Sequence, residues 1–422
     1  MDLIYNIGIS AYRLAVKVAS VRNRKARMML KGQRETFKRL REQLDPAGGY
    51  IWVHAASLGE FEQGRPLIEM IKRNDPEARI VLSFFSPSGY EVRKNYQGVN
   101  AVCYLPFDLP RNVGQFLDFV KPTMAIFVKY EFWGNYLMAL KRRGIPTYIV
   151  SAIFRPGQVF FRPWGGMFRA MLHCYTTIFV QNEESRQLLQ NIGVRQVEVS
   201  GDTRFDRVAH ICEQTKQFPT IDAFTANSPL TVVVGSSWEP DEQLIIDYFN
   251  THEGMKLIIA PHEFDRERLL SIMARSRRAA ALFSTTSPQQ ASQLSCLVID
   301  SFGMLSSLYR YGQIAMVGGG FGAGIHNVNE AAVYGIPVIF GPKHAKFREA
   351  NDLIACGGAF EVNGPEDFNR VMQDLCCNPA QRQRAGQIAG NYIRTHLGAT
   401  QFIYDNIFPR HKRNQKNREE TT

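Results

Sequence analysis

The segment from Ile314 to Pro342 carries residue types that suit a sugar nucleotide. An apolar run, Ile314–Val317, is followed by five glycines within seven positions, Gly318 to Gly324. A glycine-rich turn between a strand and a helix lets backbone N–H groups approach an anion, and the helix N-terminus adds a favourable dipole. Glu330, one turn into the predicted helix, is placed to accept hydrogen bonds from two ribose hydroxyls. The segment predicts a nucleotide-sugar pocket, although tight strand-to-helix packing also uses glycines.

Two acidic residues follow predicted strands in the first half of the chain. Glu60 is expected in the loop after the strand Ile51–His54, with Pro66 opening the next helix at its first turn. A carboxylate there could act as a general base toward an incoming hydroxyl, or it could cap the helix. Glu131 comes after the strand Met124–Val128, between aromatic residues. It is either a second active-site acid or the opening charge of a helix.

Polar loops also follow the strands of the second half. Ser236 and Ser237 come after an apolar run, and their N–H groups would suit a donor phosphate. Ser236 with Glu239 also has capping-box spacing, so plain helix capping is the alternative. His262 and two arginines lie in the segment Pro261–Arg268, directly after another predicted strand. These loops extend the predicted binding edge.

Metal and nucleophile chemistry is not indicated. The sequence has no Asp-x-Asp, HExxH or GxSxG pattern and no cluster of cysteine and histidine. His326 and Glu330 are one helical turn apart and could share a metal, but no third ligand of suitable spacing appears. We therefore expect neither a bound metal nor a cofactor.

The elements that position these residues alternate along the chain. Short apolar runs separated by helix-length segments form two sets, Ile51–Ser200 and Leu230–Val362, joined by a connector near residues 206–228. Such runs are typical of parallel strands covered by helices on both faces. The pattern predicts two Rossmann-like, doubly wound α/β domains facing a central cleft. Ligands in such folds bind outside the carboxyl ends of the strands, where the polar loops fall.

The bulk composition fits a large enzyme. At 422 residues the chain predicts two or three domains, and 45% hydrophobic and 21% charged residues exclude wholesale disorder. Seven scattered cysteines without a CxxC pattern indicate reduced thiols, not a disulfide framework. The net charge of +11 is concentrated near the termini, including residues 410–418.

The first 45 residues combine an apolar stretch with a positive charge excess of +7. Residues 3–21 are mostly apolar, but Arg13 and Lys17 interrupt them and make a poor membrane span. An apolar helix beside a polybasic segment is typical of a monotopic anchor on an anionic membrane surface. A helix packed on its own domain is the alternative. Nucleic acid is not expected as a partner, because the basic residues lack interleaved aromatics.

Several motifs together resemble the 3-deoxy-D-manno-octulosonic acid (Kdo) transferases. They span nearly all of residues 50–360 in the order of that family: HAASLGE (54–60), YLPFDLP (104–110), EFWGN (131–135), GDTRFD (201–206), GSSWEPDE (235–242), DSFGML (300–305) and the glycine-rich segment. The resemblance implies the GT-B glycosyltransferase fold, a membrane-associated N-terminus and CMP-Kdo as donor. It implies transfer to a lipid A precursor at the cytoplasmic face of the Gram-negative inner membrane, without a bound metal.

The resemblance also implies roles for individual residues. The general base of the family falls on Glu60, and the acid of its ELWPN motif falls on Glu131. The implied contacts to CMP are Pro261, His262, Phe302, Gly303, Met304, Asn327, Val328, Asn329 and Glu330.

Three motifs depart from the family pattern. Many members have Pro-Arg-His-Pro where residues 261–264 read Pro-His-Glu-Phe, so an expected phosphate-binding arginine is missing. EFWGN replaces ELWPN, and a loop usually read as Asn-Ala-Arg is Ser-Ala-Ile-Phe-Arg at residues 151–155. The candidate cations for the donor phosphate are Arg155, Arg266 and Lys346.

The resulting domain prediction has four parts. Residues 1–45 form the membrane-associating region, 46–208 the acceptor domain, 209–400 the CMP-sugar donor domain, and 401–422 a basic tail. The expected activity is metal-independent, inverting transfer of Kdo. A nucleotide-sugar 2-epimerase of the same architecture and a non-catalytic nucleotide-sugar-binding membrane protein are the alternatives.

Overall fold

The computed structural model describes residues 3–214 and 216–409, so the basic residues predicted at 410–418 lie outside the described part. The chain forms two compact units. The first contains the chain up to Arg207 together with the segment from Gly398 onward, and the second is Val208–Leu397. Each unit is a parallel sheet of seven strands with helices around it. The predicted doubly wound α/β fold class is confirmed.

The first unit has the strand order β3-β2-β1-β4-β5-β6-β7, and all its neighbouring pairs are parallel. Its strands are β1 Tyr50–Ala55, β2 Ile80–Phe84, β3 Ala101–Tyr104, β4 Pro122–Val128, β5 Thr147–Ala152, β6 Thr177–Val180 and β7 Val197–Val199. Its helices are α1 Leu3–Ala19, α2 Arg24–Gln43, α3 Leu58–Asn74, α4 Pro87–Arg93, α5 Pro110–Val120, α6 Gly134–Arg142, α7 Gly166–Leu172 and α8 Glu183–Asn191. Helix α9, Thr203–Glu213, begins in the first unit and ends in the second.

The second unit has the order β10-β11-β9-β8-β12-β13-β14. Its strands are β8 Thr231–Ser237, β9 Lys256–Pro261, β10 Ala280–Leu282, β11 Cys296–Val298, β12 Ile314–Val317, β13 Val338–Phe340 and β14 Ala359–Glu361. Its helices are α10 Pro219–Thr225, α11 Glu239–Thr251, α12 Arg266–Arg275, α13 Pro288–Ala291, α14 Leu305–Leu308, α15 Asn329–Ala332, α16 Arg348–Cys356, α17 Pro365–Cys377 and α18 Pro379–Thr395. Helix α19, Ala399–Ile407, returns to the first unit.

Alternation along β1 explains why its residues form a central strand. Trp52 joins the apolar cluster on one face of the sheet, whereas Ile51 and Val53 join the cluster on the other face. Every residue of β1 is buried. Since both faces of the sheet are covered, an uninterrupted apolar run is the expected pattern, and this is how the sequence reveals the strand.

The predicted tail at 401–422 is wrong for its first residues. Residues 401–407 lie in α19, where Ile403, Tyr404 and Ile407 are buried in the first unit. Asp206 fastens the start of this helix by accepting hydrogen bonds from the backbone N–H groups of Gly398 and Thr400. Buried apolar side chains and the hydrogen bonds to Asp206 therefore make residues 401–407 part of the fold, although the sequence that follows them is basic.

Candidate functional site

In the first unit, polar residues gather at the carboxyl edge of the sheet. His54 lies near the end of β1, and Lys129 and Ser151 lie at the ends of β4 and β5. Lys129 and Ser151 have positive φ angles of 72° and 54°, which non-glycine residues rarely adopt. Backbone strain of this kind persists where the surrounding structure holds it, and it occurs often at functional sites. The carboxyl edge of the first sheet, where the sequence predicts a ligand site, therefore also contains strained backbone.

Glu131 is held in a buried network at this edge. Its side chain is almost fully buried, and its Oε2 lies 2.9 Å from His54 Nε2 and 2.5 Å from Trp133 Nε1. Among residues 3–214 and 216–409, the structure gives no hydrogen bond to its other oxygen, Oε1. His54 is fully buried, and its Nδ1 lies 2.9 Å from the Ser83 hydroxyl. One oxygen of Glu131 is thus fixed by protein groups, while the other accepts no hydrogen bond within the described part of the chain.

The position of Glu131 excludes one of the two interpretations made from the sequence. Helix α6 begins at Gly134, with Trp133 as its N-cap, and has no acidic residue in its first turn. Tyr175 donates a hydrogen bond to the Glu131 backbone carbonyl, which fixes the loop itself. Glu131 is therefore not the opening charge of a helix.

Glu60 lies in the first turn of α3, so its predicted loop position is wrong. The helix starts at Leu58, where the Ser57 carbonyl accepts the first helical hydrogen bond from Phe61. The Ser57 hydroxyl contacts the half-buried Glu60 carboxylate. Near the positive end of the helix dipole, a carboxylate is stabilised in its charged form. Glu60 is thus a first-turn acid that contacts the Ser57 hydroxyl and remains accessible.

Pro66 does not open this helix, in contrast to the prediction. It lies inside α3, eight residues after the helix starts, where it removes one backbone hydrogen bond. The buried residues Phe61, Leu67 and Ile68 on both sides of Pro66 explain why the helix continues. Packing of this apolar face outweighs the lost bond.

In the second unit, the serines at the end of β8 do not cap the next helix. Ser237 is buried and donates to Glu242 at 2.9 Å, while Ser236 has a φ of 51°. The capping acid is Asp241, whose Oδ2 accepts from the N–H groups of Trp238 and Gly319, each at 2.9 Å. The predicted pairing of Ser236 with Glu239 is therefore wrong. Burial raises the pKa of Asp241 above its ordinary value.

The glycine-rich turn after β12 is explained partly by packing. A Cβ atom at Gly318, Gly319 or Gly320 would lie 2.4–2.5 Å from a backbone atom of Ser236, Gly324 or Gly341, respectively. Gly319 also has a φ of 92°. By contrast, the nearest atom to a Cβ at Gly322 would be 3.6 Å away, and Gly324 has a φ of 134°. The close approach of other backbone segments accounts for the first three glycines, as the packing alternative expects.

Glu330 brings two predicted motifs together. Its Oε2 accepts from the Ser306 hydroxyl at 2.7 Å, and its Oε1 accepts from the Asn327 amide at 3.1 Å. The predicted helix around Glu330 is only four residues long, Asn329–Ala332. The Tyr334 hydroxyl donates to the Ser306 carbonyl at 2.8 Å and supports this arrangement. Glu330 is therefore a half-buried carboxylate fixed at the sheet edge.

The remaining predicted CMP contacts differ in accessibility. Phe302 is 85% exposed and lies edge-on to Phe264, with ring centres 4.4 Å apart. Gly303 is exposed, with a φ of 76°. The buried predicted contacts are Pro261, Met304, Val328 and Asn329. The Phe302 side chain is thus accessible to a ligand, whereas the four buried residues pack within the segments around it.

His262 belongs to an aromatic stack at the ends of β8, β9 and β12. Its ring lies between Trp238 and His326, at centroid distances of 4.8 Å and 4.5 Å. The Trp238 indole N–H donates to His326 Nε2 at 3.3 Å. Burial, and then the neighbouring His262, lower the pKa of His326. A neutral imidazole is consistent with its role as an acceptor from Trp238.

The candidate cations divide between the units. Arg155 is exposed in the first unit, and Arg266 and Lys346 are exposed in the second. Arg268, in contrast, is bound to the buried Glu242 at 2.9 Å. Among the described residues, no group of three or more metal-binding side chains comes together.

His54 and Asp108 of the first unit were not identified as site residues from the sequence. The pairing of His54 with Glu131 joins residues 77 positions apart, so no local spacing could show it. Asp108 is fully buried and accepts from Tyr5 and from the N–H groups of Asn135 and Tyr136. Burial raises the pKa of Asp108 to about 6. Its position in the sequence could have indicated a site residue, because Asp108 lies in the segment between β3 and Pro110.

Comparison with known proteins connects this arrangement to one family. Residues 25–207 match the family model described as 3-Deoxy-D-manno-octulosonic-acid transferase (kdotransferase). A relative from Aquifex aeolicus, named 3-deoxy-D-manno-octulosonic acid transferase, is 28% identical over 374 residues, which are 86% of this chain and 97% of the relative. A relative of the same name from Bordetella pertussis is 26% identical and covers 85% of this chain and 87% of its own length.

Solved structures show the fold alone. UDP-GlcNAc 2-epimerase from Neisseria meningitidis has a TM-score of 0.61 at 14% identity, covering 85% of this chain and 100% of that structure. MurG from Acinetobacter baumannii has a TM-score of 0.53 at 13% identity, covering 85% and 99%. The solved structures do not distinguish a transferase from an epimerase. The motifs, the family model and the sequence relatives all point to the Kdo transferases. By the family model over residues 25–207 and by its sequence relatives, this chain is similar to the 3-deoxy-D-manno-octulosonic acid transferases.

Proposed function

We propose that this glycosyltransferase moves Kdo from CMP-Kdo to a lipid A precursor in lipopolysaccharide biosynthesis. The observation that carries the proposal is the placement of family-motif carboxylates at the carboxyl edges of both sheets. Glu60 and Glu131 lie at the edge of the first sheet, and Glu330 lies at the edge of the second. Open parallel sheets bind their ligands at this edge.

The first unit would serve the acceptor. Glu60 removes the proton from a sugar hydroxyl of the lipid, whose oxygen then attacks the anomeric carbon of Kdo. The bond from that carbon to the CMP phosphate breaks on the opposite face, so configuration inverts in one displacement. The half-buried position of Glu60 at the start of α3 leaves its carboxylate accessible.

Glu131 would assist through its second oxygen. His54 and Trp133 occupy Oε2, so the carboxylate has a fixed orientation. Oε1 could then accept a hydrogen bond from an acceptor hydroxyl and orient the attacking oxygen. Positioning of this kind lowers the entropic part of the barrier.

The second unit would hold the donor. Glu330, fixed by Ser306 and Asn327, accepts hydrogen bonds from the ribose hydroxyls of CMP. Phe302, which is largely exposed on its loop, offers a ring face to the cytosine.

In this metal-independent scheme, protein groups must stabilise the negative charge that develops on the phosphate of the leaving CMP. Backbone N–H groups at the sheet edge and the exposed cations Arg266 and Lys346 would supply it in the second unit. Arg155 is the corresponding exposed cation of the first unit. In the second unit, Arg266 and Lys346 would take the place of the arginine that is absent between Pro261 and Phe264.

The N-terminal region would bind the membrane in which the acceptor is embedded. The exposed apolar side chains of this region are Leu3, Ile4, Ile7, Leu14, Val18 and Val21. No helix within the described residues has both the length and the apolar character needed to cross a bilayer. We propose peripheral association with the cytoplasmic face of the inner membrane through anionic lipid.

The test is a transfer assay with mass analysis of the lipid. Purified protein is incubated with CMP-Kdo and lipid A precursor in detergent, and the masses of the lipid products are determined. The proposal expects a mass gain equal to one or more Kdo residues, with release of CMP. A reaction that alters a nucleotide sugar without changing the lipid mass would instead favour the epimerase alternative.

A further inference from the structure

Helix α1 is fastened across the carboxyl edge of the first sheet. The Tyr5 hydroxyl donates to Asp108 Oδ2 at 2.6 Å and accepts from the Gly134 N–H at 2.9 Å. Asn6 Oδ1 accepts from the Asn135 amide at 2.8 Å. We name these five residues the α1 clasp. Asp108 follows β3, and Gly134 begins α6 after β4, so the α1 clasp spans strand ends on both sides of β1.

Aromatic contacts continue from α1 toward the candidate acids. The Tyr12 ring stacks with Phe85, which follows β2, at a centroid distance of 6.3 Å. Phe85 lies 4.6 Å from Trp133, and the indole N–H of Trp133 donates to Glu131 at 2.5 Å. A continuous path of contacts therefore joins α1 to Glu131.

The side of α1 away from the α1 clasp is apolar and exposed. At 100° per residue, Tyr5 and Tyr12 share one face, and the exposed residues Ile7, Leu14 and Val18 share the opposite face. Ile4 is 78% exposed. The hydrogen bonds of Tyr5 and Asn6 hold the other side of α1 against the first unit, so the apolar face is turned away from it.

Positive charge flanks the apolar face. Arg13 and Lys17 lie on α1, and Arg22, Arg24 and Lys25 follow in the turn and the start of α2, all with exposed side chains. Exposed apolar residues beside clustered cations complement a bilayer that contains anionic lipid. Such a bilayer is the occupant to which we assign this face.

We propose that the α1 clasp makes α1 a rigid membrane-facing wall, which holds the bilayer next to the edge that carries Glu60 and Glu131. A flexible tether would bind the same lipid without fixing the orientation of the site. The inference rests on the proposed transfer to a lipid acceptor. It adds Tyr5 and Asp108 as positioning residues, which act through the orientation of α1 and not on the reacting atoms.

The test compares the full-length protein with a Tyr5→Phe, Asn6→Ala variant. This variant removes the polar bonds from the α1 side of the clasp and leaves the exposed apolar face unchanged. Vesicles contain phosphatidylethanolamine, phosphatidylglycerol and the lipid acceptor. We expect binding to these vesicles to change by less than about twofold, while transfer to the embedded acceptor falls roughly tenfold. Transfer to detergent-dispersed acceptor should stay within about twofold of wild type, because no reacting group has changed.

Tyr12→Phe is the matched control, because it removes the other phenol of α1. Within the described residues, the structure gives that hydroxyl no hydrogen bond. This control should keep full transfer on vesicles. Unchanged transfer by the clasp variant on vesicles would overturn the inference. So would a loss of transfer that merely follows a loss of vesicle binding.

Hydrogen exchange gives a readout that does not depend on catalysis. On vesicles without substrate, the amides of residues 3–19 should exchange faster in the clasp variant than in wild type. Equal exchange would show that the α1 clasp does not restrain the helix. Absence of any Kdo transfer by wild-type protein would refute the proposed function, and this exchange comparison would still test the restraint.

Discussion

Replacing Glu330 by alanine should act on donor binding. In the structure, the Glu330 carboxylate accepts from Ser306 at 2.7 Å and from Asn327 at 3.1 Å. If the same carboxylate accepts from the ribose of CMP, its loss removes a charge-assisted interaction and frees two loop side chains. The variant should therefore bind CMP less tightly while the fold of the second unit remains.

The magnitude follows from the kind of bond. A hydrogen bond to a charged group contributes about 1.5–3 kcal/mol, so the Kd for CMP should rise about ten- to a hundredfold. Ser306→Ala should cost less, because it removes a group that only orients Glu330. In the double variant the two effects should be non-additive, since Ser306 has no carboxylate left to orient.

Calorimetric titration with CMP measures this directly, and thermal unfolding reports the stability of the variants. Glu366→Ala is a matched control, because Glu366 is an exposed acid in the first turn of α17. It should leave the Kd for CMP unchanged. If Glu330→Ala also binds CMP like wild type and only loses stability, Glu330 is a structural residue and the donor-site argument is refuted.

Three further predictions concern the glycine turn, the buried acid and the N-terminus. Gly319→Ala should lower stability in urea by about 2 kcal/mol, because its φ is 92°, whereas Gly322→Ala should change it little. Burial raises the pKa of Asp108 to about 6, so the unfolded chain loses this proton first as pH rises. The free energy of unfolding should therefore fall by up to about 3 kcal/mol between about pH 4 and 6, and Asp108→Asn should lack this slope in urea titrations. Deleting residues 1–20 leaves the basic stretch 22–41, so vesicle binding should weaken and become strongly salt-dependent, while detergent-phase activity survives; equally tight binding at physiological salt would contradict this.

The fold was predictable because its pattern is local. Strands such as Ile314–Val317 are continuous apolar runs, and parallel sheets buried on both faces require this composition. Helix starts were predicted less well. Pro66 indicated a helix start, but apolar packing carries α3 across it, and the cap of α11 uses Asp241 where the serines were expected.

The candidate site was predicted residue by residue but not as an arrangement. The sequence indicated Glu131 and Glu330, because each follows a strand or a glycine-rich turn. It did not indicate that His54 and Trp133 hold Glu131, or that Tyr5 reaches Asp108 across 103 positions. Such contacts depend on how strands are ordered in the sheet, and no spacing in the chain encodes that order.

The most direct test of the account is the turnover of Glu60→Gln with CMP-Kdo and lipid A precursor. Glutamine keeps the shape of the side chain and removes its basicity, so folding and CMP affinity should stay near wild type. The rate of Kdo transfer, measured by the mass of the lipid product, should fall at least about a hundredfold. If the variant keeps more than about a tenth of wild-type turnover, Glu60 is not the general base and the central claim is contradicted.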